Sequence, residues 1–307
     1  MTPPIAFEAM GPLPADVLGA LREVPFLTGS GVRGAIGTPL GGVTNQSWGV
    51  IVDGRRLVVR VPREGTPRIL DREAEAHNTR LMSDLGVNVP TLFLDPGTGV
   101  KVAPWLDGQP LRPEELRDPS VLPEIAGLLR RVHGSGADLS PAFRPARLYE
   151  DIESMLGHLP PDLAAARGDF RRCRDHLLSH GVKAAPCHQD LYRANFLRAG
   201  GRLYLIDWEH SGPCDPVYDL ADLSVQGDLT PDEDRALLEE YFSATGDALP
   251  RERFFWAQQL SRLVWGAWAL VRAETGGVDP AHLLAGRRKL ALAREALRRR
   301  SPVKSHA

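Results

Sequence analysis

An Asp53-Gly54 pair stands between Val50-Ile51-Val52 and Leu57-Val58-Val59-Arg60-Val61. Asp-Gly supplies the backbone angles of a tight turn and the β-branched runs supply strands, so this stretch predicts an antiparallel hairpin preceded by a glycine-bearing loop. Asp71 is read as opening a helix through Leu85 that Gly86 stops, and strands at Thr91–Leu94 and Val100–Trp105 flank the turn Asp95-Pro96-Gly97-Thr98-Gly99. Beyond Asp107-Gly108 the periodicity becomes helical, at 121–133, 147–157, 161–180, 231–245, 250–274 and 279–300, with one strand pair at 195–206 set among the helices. The expected fold is therefore α+β and two-lobed. Residues 1–35, rich in Pro and Gly with a helical stretch at Ala15–Glu23, read as a lead-in; 36–105 as a small antiparallel-sheet lobe with one main helix; and 106–307 as a larger, mostly helical lobe.

Composition narrows the function. The 307 residues are 43% hydrophobic and 25% charged, with 37 Lys+Arg against 39 Asp+Glu, which supports a core and argues against disorder or a basic nucleic-acid-coating protein. No uncharged apolar run reaches about 18 residues, and Met1–Phe7 followed by Glu8 lacks a signal-peptide pattern, so a soluble, cytoplasmic protein without membrane or nucleic-acid partners is expected. Cys173, Cys187 and Cys214 are too few and too irregular for a disulfide framework. Oligomeric state is not legible.

Chemistry concentrates in Cys187-His188-Gln189-Asp190-Leu191-Tyr192-Arg193-Ala194-Asn195, followed by a hairpin and Ile206-Asp207-Trp208-Glu209. If Ala199-Gly200-Gly201 is a three-residue loop closed by residues 198 and 202, Asn195 opposes Leu205 and shares a face with Asp207, roughly 7 Å away along the strand. A hard cation could bridge the two. Asp190, just before the hairpin, could accept a proton from a substrate hydroxyl. An Asp base with a downstream Asn and a second Asp on magnesium is the arrangement of kinase-type phosphoryl transfer. His188 is not needed as a base and is expected to brace the loop.

His188-x-Asp190-x4-Asn195 followed by Ile206-Asp207-Trp208-Glu209 resembles the phosphotransferase signature shared by aminoglycoside phosphotransferases and choline kinases, and the likeness extends over about residues 36–275. The resemblance implies a protein-kinase-like fold, a nucleotide-binding small lobe, and use of ATP and Mg²⁺. Leu40-Gly41-Gly42-Val43-Thr44-Asn45-Gln46-Ser47-Trp48 is similar to the family's nucleotide-covering loop, which assigns Gly42, Thr44 and Asn45 to ATP. The segment Leu70–Asn78 resembles its helix carrying the Glu that holds a cation against ATP phosphates. Helical phase sets Glu73 with His77, Arg80 and Asp84, and Glu75 with Asn78, Met82 and Leu85, so Glu75 is the inward residue. Its partner in the family is usually Lys; here the strand offers Arg60, which can hold phosphate oxygens bidentately, with Lys101 as an alternative cation. Ala103-Pro104-Trp105-Leu106 falls where the family's hinge meets adenine, which brings in Trp105. Asp215–Ala221 resembles the segment after the metal-binding Asp, and Leu128–His133 the core helix ending in His.

Asn195 and Asp207 are thus the metal residues, and Asp190 with Asn195 and His188 the catalytic loop. For the acceptor, Trp265 and Trp268 fall beside the apolar face of their helix with Ser261 and Arg272, which suits a cleft wall. The Trp-Gly-x-Trp pattern resembles the choline kinase segment whose tryptophans contact the ammonium head, and indole faces attract quaternary ammonium. Glu209, with Asp219 or Asp222 beside it, could complete a site for a cationic small-molecule alcohol. The expected activity is phosphorylation of choline or a related amino alcohol. Thiamine, ethanolamine or an aminoglycoside on the same fold, a non-catalytic kinase-like module, and a zinc site from Cys187, His188, His210 and Cys214 are the alternatives.

Overall fold

In the computed structural model, which describes residues 10–27, 30–41, 45–63, 70–243, 248–275 and 279–300, the Asp53-Gly54 hairpin is central to a six-stranded antiparallel sheet. Its strands are β1 (Gly11–Pro12), β2 (Ile36–Gly41), β3 (Asn45–Val52), β4 (Arg55–Pro62), β5 (Phe93–Leu94) and β6 (Lys101–Pro104), in the order β1-β2-β3-β4-β6-β5. Asp53 and Gly54 both take positive φ (50° and 70°), the two-residue turn that matches strand twist, and Val52 pairs with Arg55. Residues 10–27 and 30–35 are integrated into this lobe: β1 pairs with β2, and Val17, Ala20 and Leu21 of helix α1 (Ala15–Arg22) share a core with Val50, Val52, Leu57 and Val59. The four-residue helix α2 (Ser30–Arg33) follows.

Helix α3 (Arg72–Asp84) is capped by Asp71, whose side chain accepts the Ala74 N–H at 3.0 Å, a contact contributing about 1 kcal/mol. Its inward face carries Glu75, Asn78, Thr79 and Met82, so it cannot be held by apolar burial alone. Asn78 Nδ2 instead donates to Ser140 O and Ser211 Oγ at 2.7 and 2.9 Å, tying the small lobe to the helical one.

The helical lobe comprises α4 (Leu122–His133), α5 (Leu148–Leu156), α6 (Pro161–Ser179), α7 (Pro216–Gly227), α8 (Pro231–Phe242), α9 (Arg251–Glu274) and α10 (Pro280–Arg300). One core gathers Ile125, Leu129, Phe196, Trp208 and Leu220; another gathers Tyr149, Phe170, Leu263 and Val264. Helix α7 escapes periodicity because every residue from Val217 to Val225 is buried, leaving no polar face to reveal a period. Its start is set by Asp215-Pro216: Pro216 occupies the first turn and the Asp215 side chain accepts the Val217 N–H at 3.0 Å. Helices α9 and α10 cross where Gly266 meets Gly286: a Cβ on Gly286 would lie 2.4 Å from that of Ala269.

Two short sheets sit within this lobe. Strand β7 (Gly108–Pro110) pairs with β9 (Phe196–Ala199), which pairs with β10 (Arg202–Leu205), while β8 (Ala185–Cys187) pairs with β11 (Gly212–Cys214). The β9–β10 register differs from expectation. Gly200 and Gly201 both have positive φ (56° and 72°), so the loop has two residues, Ala199 pairs with Arg202 and Phe196 pairs with Leu205. Asn195 therefore stands outside the ladder, where its C=O accepts the Ile206 N–H at 2.8 Å, and the shared-face argument for Asn195 and Asp207 fails. Among the described residues no helix is long and apolar enough to cross a membrane.

Candidate active site

The loop after β8 is held from behind by α7. Asp219 accepts the backbone N–H groups of His188 and Gln189, each at 2.8 Å, and Asp222, one helical turn on, accepts that of Leu191 at 2.7 Å. Asp219 is fixed in turn by His133 Nε2 at 3.0 Å, whose Nδ1 meets Tyr241 Oη at 2.7 Å. Gln189 is held at φ 65°, a costly conformation for a non-glycine residue that the Asp219 bonds sustain. His188 accepts the Asp190 N–H at Nδ1 (3.3 Å), so Nε2 carries the proton and donates to Ile206 O at 3.0 Å. Burial lowers its pKa, and the neutral ring braces the loop.

Asp190 emerges from this loop with Oδ2 accepting from Asn195 Nδ2 at 3.0 Å; the same amide nitrogen donates to Asp190 O at 2.9 Å. Burial, then the charges of Asp222 and Asp207, raise the Asp190 pKa well above the ordinary carboxylate value; a cation beside Asp207 would offset part of that rise and leave Asp190 ionised and able to accept a proton.

Asp207, at φ 69°, follows β10 and meets the small lobe. Arg60 NH1 donates to Asp207 Oδ1 at 2.7 Å and its NH2 to Glu75. Arg72 NH1 donates to Glu75 Oε2 at 2.6 Å and to Glu209 Oε2 at 2.8 Å, and Asn45 Nδ2 reaches the same Glu209 oxygen at 2.8 Å. Glu75 is fully buried. Burial alone would raise its pKa, but Arg60 and Arg72 outweigh it and hold the group ionised; Glu209 is pushed up to about 6 by burial and by Asp207.

The donor set suits a hard divalent cation. Asn195 commits its nitrogen to Asp190, and among the described residues Asn195 Oδ1 and Asp207 Oδ2 accept no hydrogen bond, leaving two oxygens of the type magnesium takes. Trp105 lies against β3, where a Cβ on Gly49 would come within 2.7 Å of its ring, and its Nε1 donates to Asp107 Oδ1 at 3.0 Å. Gly42 and Thr44 lie outside the described residues.

A cavity of about 560 Å³ runs from Asn45, Asn195 and Asp207, past Asp190 and Glu209, to Trp265 and Trp268 of α9. Trp265 Nε1 donates to Asp222 Oδ1 at 2.6 Å, and Ser261 Oγ to the same oxygen at 2.7 Å. Trp268 stands edge-on to Phe143 and His210. His210 lies between both indoles, its Nδ1 3.7 Å from Asp190 Oδ2 and neither ring nitrogen hydrogen-bonded among the described residues; burial pushes its pKa down to about 3, so the ring is neutral.

Sequence reasoning gave Arg72 no role and His210 only a place in the zinc alternative. Arg72 had a signal, three residues before Glu75 on one helix face; His210 had none beyond adjacency to Glu209. Asp219 and Asp222, entertained as substrate ligands, both serve the loop. The zinc quartet does not converge, because His188 is committed to Ile206 O and His210 to the aromatic cluster. Among the described residues His133, Cys187 and Asp219 do approach one another, but His133 and Asp219 are engaged as above, and burial keeps the Cys187 thiol protonated.

The sequence pattern of the phosphotransferase enzyme family matches residues 36–255. Protein LicA of Haemophilus influenzae is 28% identical over 253 residues, 77% of this chain and 73% of that protein. The fold is similar to the choline kinase LicA from Streptococcus pneumoniae, with TM-score 0.76 and 27% identity over 85% of this chain and 92% of that one. It is also similar to a choline/ethanolamine kinase family protein from Mesorhizobium loti, with TM-score 0.71 and 29% identity over 91% and 93%.

Proposed function

The chain belongs to the phosphotransferase enzyme family, and on that footing we propose that it transfers the terminal phosphoryl group of ATP to the hydroxyl of choline or a closely related amino alcohol. The observation that carries this reading is the single cavity in which Asp190, Asn195 and Asp207 share walls with Trp265 and Trp268. The similar proteins named as choline and ethanolamine kinases support the same acceptor class.

In this reading the lobes divide near residue 106, with the nucleotide between them. Trp105 borders adenine, Asn45 and the neighbouring Gly42 and Thr44 belong to the nucleotide-covering loop, and Arg60, oriented by Glu75, faces the polyphosphate. Asn195 Oδ1 and the Asp207 carboxylate would hold Mg²⁺, which supplies charge neutralisation at the phosphates. Asp190, steered by Asn195 Nδ2, accepts the hydroxyl proton as the acceptor oxygen bonds to phosphorus and the bond to the bridging oxygen of ADP breaks. Trp265 and Trp268 present indole faces to the ammonium group, with Glu209 adding negative charge nearby.

The test is ADP release with ATP, Mg²⁺ and choline, ethanolamine, thiamine or an aminoglycoside as acceptor. Choline-type alcohols are expected to support turnover. No ADP release with any alcohol, or a preference for the aminoglycoside, would overturn the reading.

A further inference from the structure

Lys101 opens β6 directly opposite Arg60 in the β4–β6 ladder. Opposed residues of an antiparallel pair share a face, so Lys101 projects with Arg60 toward the space bounded by Glu75, Asp207 and Glu209, and all three carboxylates act on it electrostatically. It is only 8% exposed.

Its neighbours are all paired. Arg60 is bonded to Glu75 and Asp207, and Arg72 to Glu75 and Glu209. Lys101, by contrast, makes no hydrogen bond and has no carboxylate oxygen within 4.0 Å among the described residues. Burial, then the charge of Arg60, lowers its pKa. A largely buried lysine without a protein partner is costly, and the chain carries lysine at only four positions, 101, 183, 289 and 304, so the cation is not there through composition. Arg60 cannot turn fully to a ligand without releasing the two carboxylates that hold its NH1 and NH2. Lys101 breaks nothing by doing so, and its three donors suit several phosphate oxygens at once.

We infer that Lys101 is a second phosphate-binding residue, donating to the polyphosphate of the bound nucleoside triphosphate while Arg60 stays tied to Glu75. The inference rests on the ATP reading above. Its rival is that Lys101 merely balances the three carboxylates, in which case removing its charge should loosen the ligand-free protein.

The experiment compares wild type with Lys101→Met, which keeps the stem and removes the charge. Thermal unfolding is followed without ligand, and calorimetric binding of ATP, ADP and adenosine is measured with Mg²⁺ and no acceptor. The expected result is a ligand-free midpoint equal to or above wild type, ATP and ADP affinity about tenfold or more weaker, and adenosine affinity nearly unchanged. ATP affinity equal to wild type would overturn the assignment, as would a lowered midpoint with ATP and adenosine weakened alike. If Lys101→Met does not fold, Lys101→Gln is measured in its place, and failure of both to fold means the lysine holds the cluster together, which also overturns it. A wild-type protein that binds no ATP overturns the phosphoryl-transfer reading itself, so the two failures are distinguishable.

Discussion

Asp219 accepts the Gln189 backbone N–H at 2.8 Å, and Gln189 is held at φ 65° immediately before Asp190. The position of Asp190 is thus set by a carboxylate on α7 that does not line the cavity. Asp219→Ala removes the acceptor for two buried N–H groups and for His133, and each buried donor left unmade costs about 1–3 kcal/mol. The variant should lose several-fold or more in kcat and unfold at clearly lower denaturant, with acceptor KM less affected. Steady-state kinetics alongside urea unfolding checks this, and wild-type kcat in a destabilised protein would separate the brace from the chemistry.

Asp190→Asn keeps the side-chain shape and an oxygen for the Asn195 Nδ2 bond but cannot take a proton. Turnover is expected to fall by about 10²–10⁴, the usual scale for loss of general-base help, with ATP affinity within a few-fold of wild type. Single-turnover ADP formation and calorimetric ATP binding measure the two quantities separately.

Asp222 gives a pH-dependent stability prediction. It is fully buried and its pKa is raised to about 6 from the ordinary 3.8, by burial first, against the hydrogen bonds from Ser261, Leu191 and Trp265. Asp219, Asp190 and Lys289 are the charged groups coupled to it. A folded pKa above the unfolded one means that stability is fully present below about 4 and lost as pH rises through about 6. The whole effect is on the order of 3 kcal/mol. Asp222→Asn does not titrate, so wild type should lose ground to the variant by up to that amount between pH 4 and pH 7. Urea midpoints of both proteins across this range provide the check, and a constant difference would mean that Asp222 does not titrate in that window.

Local signals carried much of the site into the sequence, and nonlocal ones did not. Asp53-Gly54 set its hairpin correctly because the turn chemistry is contained in two residues, whereas Ala199-Gly200-Gly201 admitted both a three-residue and a two-residue loop, and only the pair of positive φ angles decides between them. The inward position of Glu75 followed from helical phase. That Arg72 would clamp Glu75 to Glu209 could not, since its second partner lies 137 residues away. Helix α7 was invisible to periodicity for the reason that makes it useful: buried on all sides, it can aim Asp219 and Asp222 at the loop that carries Asp190. Residues 1–35 read as a lead-in because Pro and Gly mark their composition, although Val17, Ala20 and Leu21 of α1 belong to the small-lobe core.

Trp265 is tied to the loop that carries Asp190. Its Nε1 donates to Asp222 Oδ1, and Asp222 also accepts the Leu191 N–H, so one carboxylate orients Trp265 and the Asp190 loop together. Trp265→Phe keeps an aromatic face but loses the anchor to Asp222, whereas Trp265→Ala removes the face as well. Trp268 has no such anchor among the described residues and packs its ring against Phe143 and His210. If the indoles meet an ammonium group, choline KM should rise in Trp265→Phe and rise further in Trp265→Ala, with ATP KM nearly constant, because only the acceptor touches this wall. Trimethylated nitrogen should remain preferred over a primary amine, since methyl groups shed water readily and spread charge over the ring faces, while a primary ammonium must give up strong hydrogen bonds. Side-by-side kcat/KM for choline and ethanolamine is the measurement. A tenfold preference for ethanolamine, about 1.4 kcal/mol in the transition state, would mean that hydrogen-bond acceptors rather than the indole faces select the substrate.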